Sequence, residues 1–87
     1  MSTAELMQQR LSALKPESVE ILDESGAHAG HAGAQSGGGH YQLVIVSRAF
    51  DGKPAQQRHR MVYDALGPMM KKEIHALAIK AYAPGEI

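Results

Sequence analysis

Between Ser25 and Gly39 the chain holds six glycines, four alanines, two histidines and no large apolar side chain. Such a segment cannot bury enough surface to offset the entropy of ordering it. The sequence therefore predicts a mobile loop over 25–39. A structureless connection of that length in a small domain is either functional or disordered. With 87 residues in all, there is room for one domain spanning 1–87. One Phe, three Tyr and no Trp leave the core to aliphatic side chains.

The segments flanking the loop carry clear periodicities. Over residues 3–14, Met7, Leu11 and Leu14 recur at helical spacing, with Gln8, Gln9 and Arg10 on the other side. Ser2 or Thr3 caps this helix, and Pro16 ends it, because residues before a proline avoid the helical region. Val19 to Asp23 reads as a short strand with Val19 and Ile21 on one face. His40 to Ser47 reads as a second, with the apolar run Leu43 to Val46. Around the glycine-rich segment these two strands make an antiparallel hairpin with an overlong tip.

Asp51-Gly52 is turn chemistry, and Pro54 suits the first turn of a helix. That helix runs from about Pro54 to Leu66 and aligns Ala55, His59, Val62 and Leu66 on one stripe. Gly67-Pro68 interrupts it, and a short helical turn over Met69 to Glu73 follows. His75 to Tyr82 alternates as a strand, placing His75, Leu77, Ile79 and Ala81 on one side. Ala76, Ala78, Lys80 and Tyr82 take the other. Strand, helix and strand form a βαβ unit with a right-handed crossover and parallel pairing. The expected fold is an α+β two-layer sandwich with element order α-β-β-α-(α)-β and a three-stranded mixed sheet.

Composition narrows the function. Nine basic residues balance nine acidic ones, poor footing for a protein that works mainly on phosphates, although a local basic stripe is compatible with it. Without a long apolar run or a charged-then-apolar leader, the expectation is a cytoplasmic protein, neither membrane-spanning nor secreted. There is no cysteine, hence no thiolate nucleophile and no self-sufficient cysteine metal site. An enzyme has little to build on: there is no Gly-x-Ser-x-Gly elbow and no phosphate loop. The neighbouring carboxylates Asp23 and Glu24 point to opposite faces of a strand.

Several short pieces, taken in order and at their spacings, resemble the BolA family over essentially the whole chain. They are Asp23-Glu24-Ser25 before the loop, His40-Tyr41 opening the second strand, and Val46-Ser47 followed by Phe50-x-Gly52-Lys53. Arg58-His59-Arg60-x-Val62-Tyr63 on the helix and Ile74-His75-Ala76-Leu77 opening the last strand complete the set. The resemblance, to the histidine-loop type of the family, implies a class II KH-like fold. It also implies partnership with a monothiol glutaredoxin in a heterodimer that shares a 2Fe–2S cluster, the protein being a monomer alone. Glutaredoxin and glutathione would supply thiolates. On this chain the ligand at the start of the last strand maps onto His75, and the loop ligand onto His28, with His31 as the alternative.

Mixed Cys and His ligation is chemically reasonable, since imidazoles replace thiolates on one iron of Rieske centres. An imidazole must be neutral to bind, which makes such a site sensitive near neutral pH. For each of the five histidines there is also a plain reading. His75 at a strand end would be packed with one nitrogen on backbone. His28 and His31, spaced His-x-x-His, would be solvated or form a weak surface zinc site. Cross-strand packing is expected for His40, and a half-buried core position for His59. The competing function is nucleic-acid binding on the KH-like fold, with Lys53, Arg58 and Arg60 as candidates. Against it stand the zero net charge, the few aromatics and the absence of a Gly-x-x-Gly clamp.

Overall fold

The computed structural model describes residues 2–24 and 39–87. The segment predicted as a mobile loop lies outside the described residues except for Gly39, which already belongs to a strand.

Helix α1 spans Thr3–Leu11, and the cap is Ser2. Its hydroxyl accepts from the Glu5 amide at 3.1 Å while the Glu5 carboxylate accepts from the Ser2 amide at 3.2 Å. Two donors that a helix start leaves without partners are satisfied reciprocally. Met7 and Leu11 are buried. The last turn tightens into a 3-10 stretch, Ser12–Leu14, and Lys15 takes a left-handed conformation (φ 49°) ahead of Pro16.

Strand β1 (Ser18–Asp23) pairs antiparallel with β2 (Gly39–Val46), Val19 opposite Ile45 and Asp23 opposite Tyr41. On its other side β2 pairs parallel with β3 (Ile74–Tyr82), so the order is β1-β2-β3 and the apolar run occupies the centre. Tyr41, Leu43 and Ile45 are buried on one face of β2, while Gln42 is exposed on the other. Helix α2 (Ala55–Leu66) follows a turn in which Gly52 has φ 73°, a value that favours glycine. Pro54 stands at the cap, one position before the helix. Val62 and Leu66 are buried as the stripe predicts, His59 is half-buried, and Ala55 is exposed, because the helix has only begun to approach the sheet there.

A 3-10 stretch, Gly67–Lys71, buries Met69 and delivers the chain to β3. The core joins Met7 and Leu11 to Tyr41, Leu43 and Ile45, and to Phe50, Val62, Leu66, Met69 and Ile74. Both helices thus contribute to one face of the sheet. The other face carries Leu22 (56% exposed), Gln42, Ala78 and Lys80 in the open. This is the expected α+β two-layer sandwich. No helix among the described residues is long and apolar enough to cross a membrane.

Candidate histidine site on the open face of the sheet

The parallel ladder between β2 and β3 is irregular at its first step. Gly39 stands opposite Ile74, but the next residue, His40, stands opposite Ala76. His75 is therefore the extra residue of a bulge. An extra residue reverses the side-chain alternation beyond it. Ile74 and Leu77 are three apart, yet both belong to the covered side, Ile74 at 1% exposure and Leu77 packed against the core. The strict alternation that put His75 beside Leu77, Ile79 and Ala81 is thereby corrected: His75 is exposed.

His75 meets His40 there. Their ring centroids are 5.2 Å apart with planes inclined by 34°. His40, half-buried, shares the helix-free face with Gln42, whose side-chain amide donates to the Glu24 carboxylate at 3.1 Å. Backbone bonds tie the corner down: the Glu24 amide donates to the His40 carbonyl at 2.7 Å, and the Gly39 amide to the Glu73 carbonyl at 2.9 Å. The chain leaves the sheet after Glu24 and re-enters at Gly39, at the same end as the two histidines. His28 and His31 lie outside the described residues. Among the described residues no group of three or more His, Cys, Asp or Glu is placed to hold a metal ion.

His40 packs across the strands as expected, and its ring partner is His75. Each of the two parallel strands has a histidine at its start, and strand starts that pair in parallel bring such residues together.

The basic candidates fare differently. Arg58 is held inside the fold, its side chain 11% exposed. Its Nε donates to the Lys53 carbonyl at 2.7 Å and its Nη1 to the Ala81 carbonyl at 3.0 Å. Both terminal nitrogens donate to the Glu86 carboxylate, at 2.6 and 2.7 Å. Fork-to-fork pairing of this kind is geometrically specific. It holds the Glu86 carboxyl down at about 2 against an ordinary 4.5, helped by a bond from the Ala83 amide, and it raises Arg58. Arg58 is a clamp between α2 and the end of β3, so it drops out as a phosphate contact. Arg60 is exposed on α2 beside Gln56, Gln57 and Asp64, and Lys53 is half-buried.

A family model described as BolA-like protein matches residues 11–86. The chain belongs to the BolA-like family. It is 42% identical over 74 residues to mouse BolA-like protein 1, a match covering 85% of this chain and 52% of that protein; the chain thus spans about half the length of that relative. It is 36% identical over 83 residues to the Escherichia coli DNA-binding transcriptional regulator BolA, covering 94% of this chain and 76% of the relative. The solved BolA domain of SufE1 from Arabidopsis thaliana superposes with a TM-score of 0.82 at 37% identity, covering 100% of this chain and 99% of the domain. The fold of a BolA-like domain is therefore the fold of this chain.

Proposed function

We propose that this BolA-like protein is an adaptor that docks on a monothiol glutaredoxin and co-ligates a shared 2Fe–2S cluster through histidines, in cluster trafficking or iron regulation. His75 is one ligand, and a loop histidine, His28 or alternatively His31, is the other. The observation that carries this reading is the bulge that turns His75 out of the core and exposes it at a sheet corner next to a second imidazole.

The donor set suits a shared group. The chain has no cysteine, so the thiolates of such a centre would come from a partner while this chain contributes nitrogen ligands. A cluster bound this way would supply electron-transfer or iron-delivery chemistry. The residues of this chain present imidazoles and fix their direction through the β2–β3 corner. Ile74 anchors that corner in the core, and the Gly39 and Glu24 backbone bonds keep the strand ends together.

The test is anaerobic cluster reconstitution with a monothiol glutaredoxin and glutathione, followed by visible absorption and circular dichroism. The expected outcome is a heterodimer whose spectrum differs from that of the glutaredoxin homodimer and is lost in His75→Ala. An unchanged homodimer spectrum with no association rejects the adaptor.

The alternative is a nucleic-acid-binding regulator, favoured by the name of the Escherichia coli relative. With Arg58 committed to Glu86, that reading rests on Arg60 and Lys53. It predicts DNA binding that falls steeply with salt and weakens in Arg60→Ala.

A further inference from the structure

We propose that the helix-free face of the sheet is self-complementary and docks on the same face of a second copy of this chain, in a weak two-fold dimer. This association belongs to the free protein and goes beyond the cluster reading.

Register fixes what the face displays. Val19 and Ile21 of β1, Leu43 and Ile45 of β2 and Ile79 of β3 pack into the core, so their neighbours point to the open side. Two rows cross the strands there, Glu20, Val44 and Lys80 in one and Leu22, Gln42 and Ala78 in the next. Each row is lopsided. Strand β1 carries the anion and the large apolar side chain, and β3 the cation and the small one. Leu22 stands out at 56% exposure. Beside Ala78 the surface sinks into a hollow of about 140 Å³ lined by Gln42, Val44, Ala78 and Lys80.

That asymmetry selects one way of stacking. A two-fold axis along β2, between facing sheets, lays β1 of one copy over β3 of the other and keeps the rows level. Glu20 then meets the partner's Lys80, and Leu22 enters the hollow beside the partner's Ala78. Both exchanges are reciprocal, as an isologous contact requires. Nearly aligned strands in sheets about 10 Å apart are ordinary sandwich geometry, and large side chains over small ones fill such a layer. The Gln42 amide enters the contact already bonded to Glu24. A two-fold across the strands would instead lay β1 on β1, where Glu20 meets no cation. Opposite charges across an interface fix its register. A second copy is the occupant because what this face offers on one side it matches on the other. Three strands about 4.8 Å apart make a small face, so dimers form at about 0.1–1 mM chain.

The experiment uses the full chain without glutaredoxin or metal. Sedimentation equilibrium up to about 1 mM measures association, and NMR of the Leu22 and Val44 methyls reports the face. The expected result is a wild-type dimer in which both methyls shift with concentration. Glu20→Lys and Lys80→Glu each set like charges against one another and weaken self-association by at least about tenfold. An equimolar mixture of the two variants regains the dimer, because each altered side chain then meets an opposite charge on the other copy. Both positions are exposed, and thermal melts check folding; if either swap unfolds the chain, Leu22→Asp replaces it and must abolish the dimer.

A wild-type chain that stays monomeric at about 1 mM, the state the family resemblance implies, overturns the proposal. So does a dimer indifferent to both swaps, which would use another surface. Mixed-label NMR that joins Leu22 to residues 25–38 of its own chain, in place of the partner's Ala78, overturns it as well. Each of these outcomes leaves the reconstitution test of the adaptor unaffected.

Discussion

The two ends of β3 solve opposite problems. At its C-terminal end, Arg58 reaches from α2 to the Ala81 and Lys53 carbonyls and to both oxygens of Glu86, so the polar groups there are satisfied within the fold. At its N-terminal end the ladder with β2 is broken by an extra residue, and a histidine is turned outward against another histidine. Charge-assisted bonds that close on themselves make structure. A bulge re-aims side chains and locally ends regular pairing, and here it turns an ionisable side chain toward solvent. The contrast also explains why the Arg-His-Arg sequence on α2, a natural candidate for phosphate contact, contributes mainly to stability through its first arginine.

The comparison can be broken most forcefully at Ile74, the buried residue that holds the bulge in the core. Ile74→Ala should cost about 2–5 kcal/mol of stability, because it removes a fully packed aliphatic side chain. It should also weaken cluster holding through His75; urea unfolding and the reconstitution spectrum measure the two effects. If stability falls while ligation is untouched, the bulge does not depend on its anchor.

Arg58→Ala should come next, lowering the urea midpoint less than Ile74→Ala and leaving the reconstitution spectrum intact. A variant that loses the spectrum at unchanged stability would contradict the separation of the two ends.

Acid sharpens the same point. The Glu86 carboxyl is held down at about 2 in the folded chain and returns to an ordinary 4.5 on unfolding. Between those values the unfolded chain binds the extra proton, so stability falls as the pH falls. The contribution is complete above about 4.5 and lost toward about 2. Glu86→Gln should lack this component: urea midpoints of wild type and variant should differ near neutrality and converge in acid. Parallel profiles across that window would show that the clamp does not set the carboxyl.

The smallest stability effect belongs to His75→Gln. An exposed side chain outside the core should change stability by no more than about 0.5 kcal/mol, while the heterodimer spectrum disappears. A large loss of cooperative unfolding would make His75 a structural residue after all.

Local patterning carried much of this molecule. Helical spacing of Met7 and Leu11 and of Val62 and Leu66, alternation through Leu77 and Ile79, and the turn at Asp51-Gly52 are properties of neighbouring residues, so they are legible before folding. Parallel pairing of β2 with β3 followed from the helix between them. The choice of Ser2 as cap required the reciprocal bond with Glu5. The bulge required the register of two strands remote in sequence. Its one trace in the sequence is the spacing of Ile74 and Leu77, three apart, which cannot both face the core of an unbroken strand. Arg58 and Glu86 are 28 positions apart, and no periodicity links them. What the sequence by itself determined was the order of the elements and most of their buried faces, since these follow from bonded geometry and apolar spacing. The tertiary structure alone decided which way His75 points and which charge Arg58 meets, because both depend on packing among segments that touch only in the folded chain.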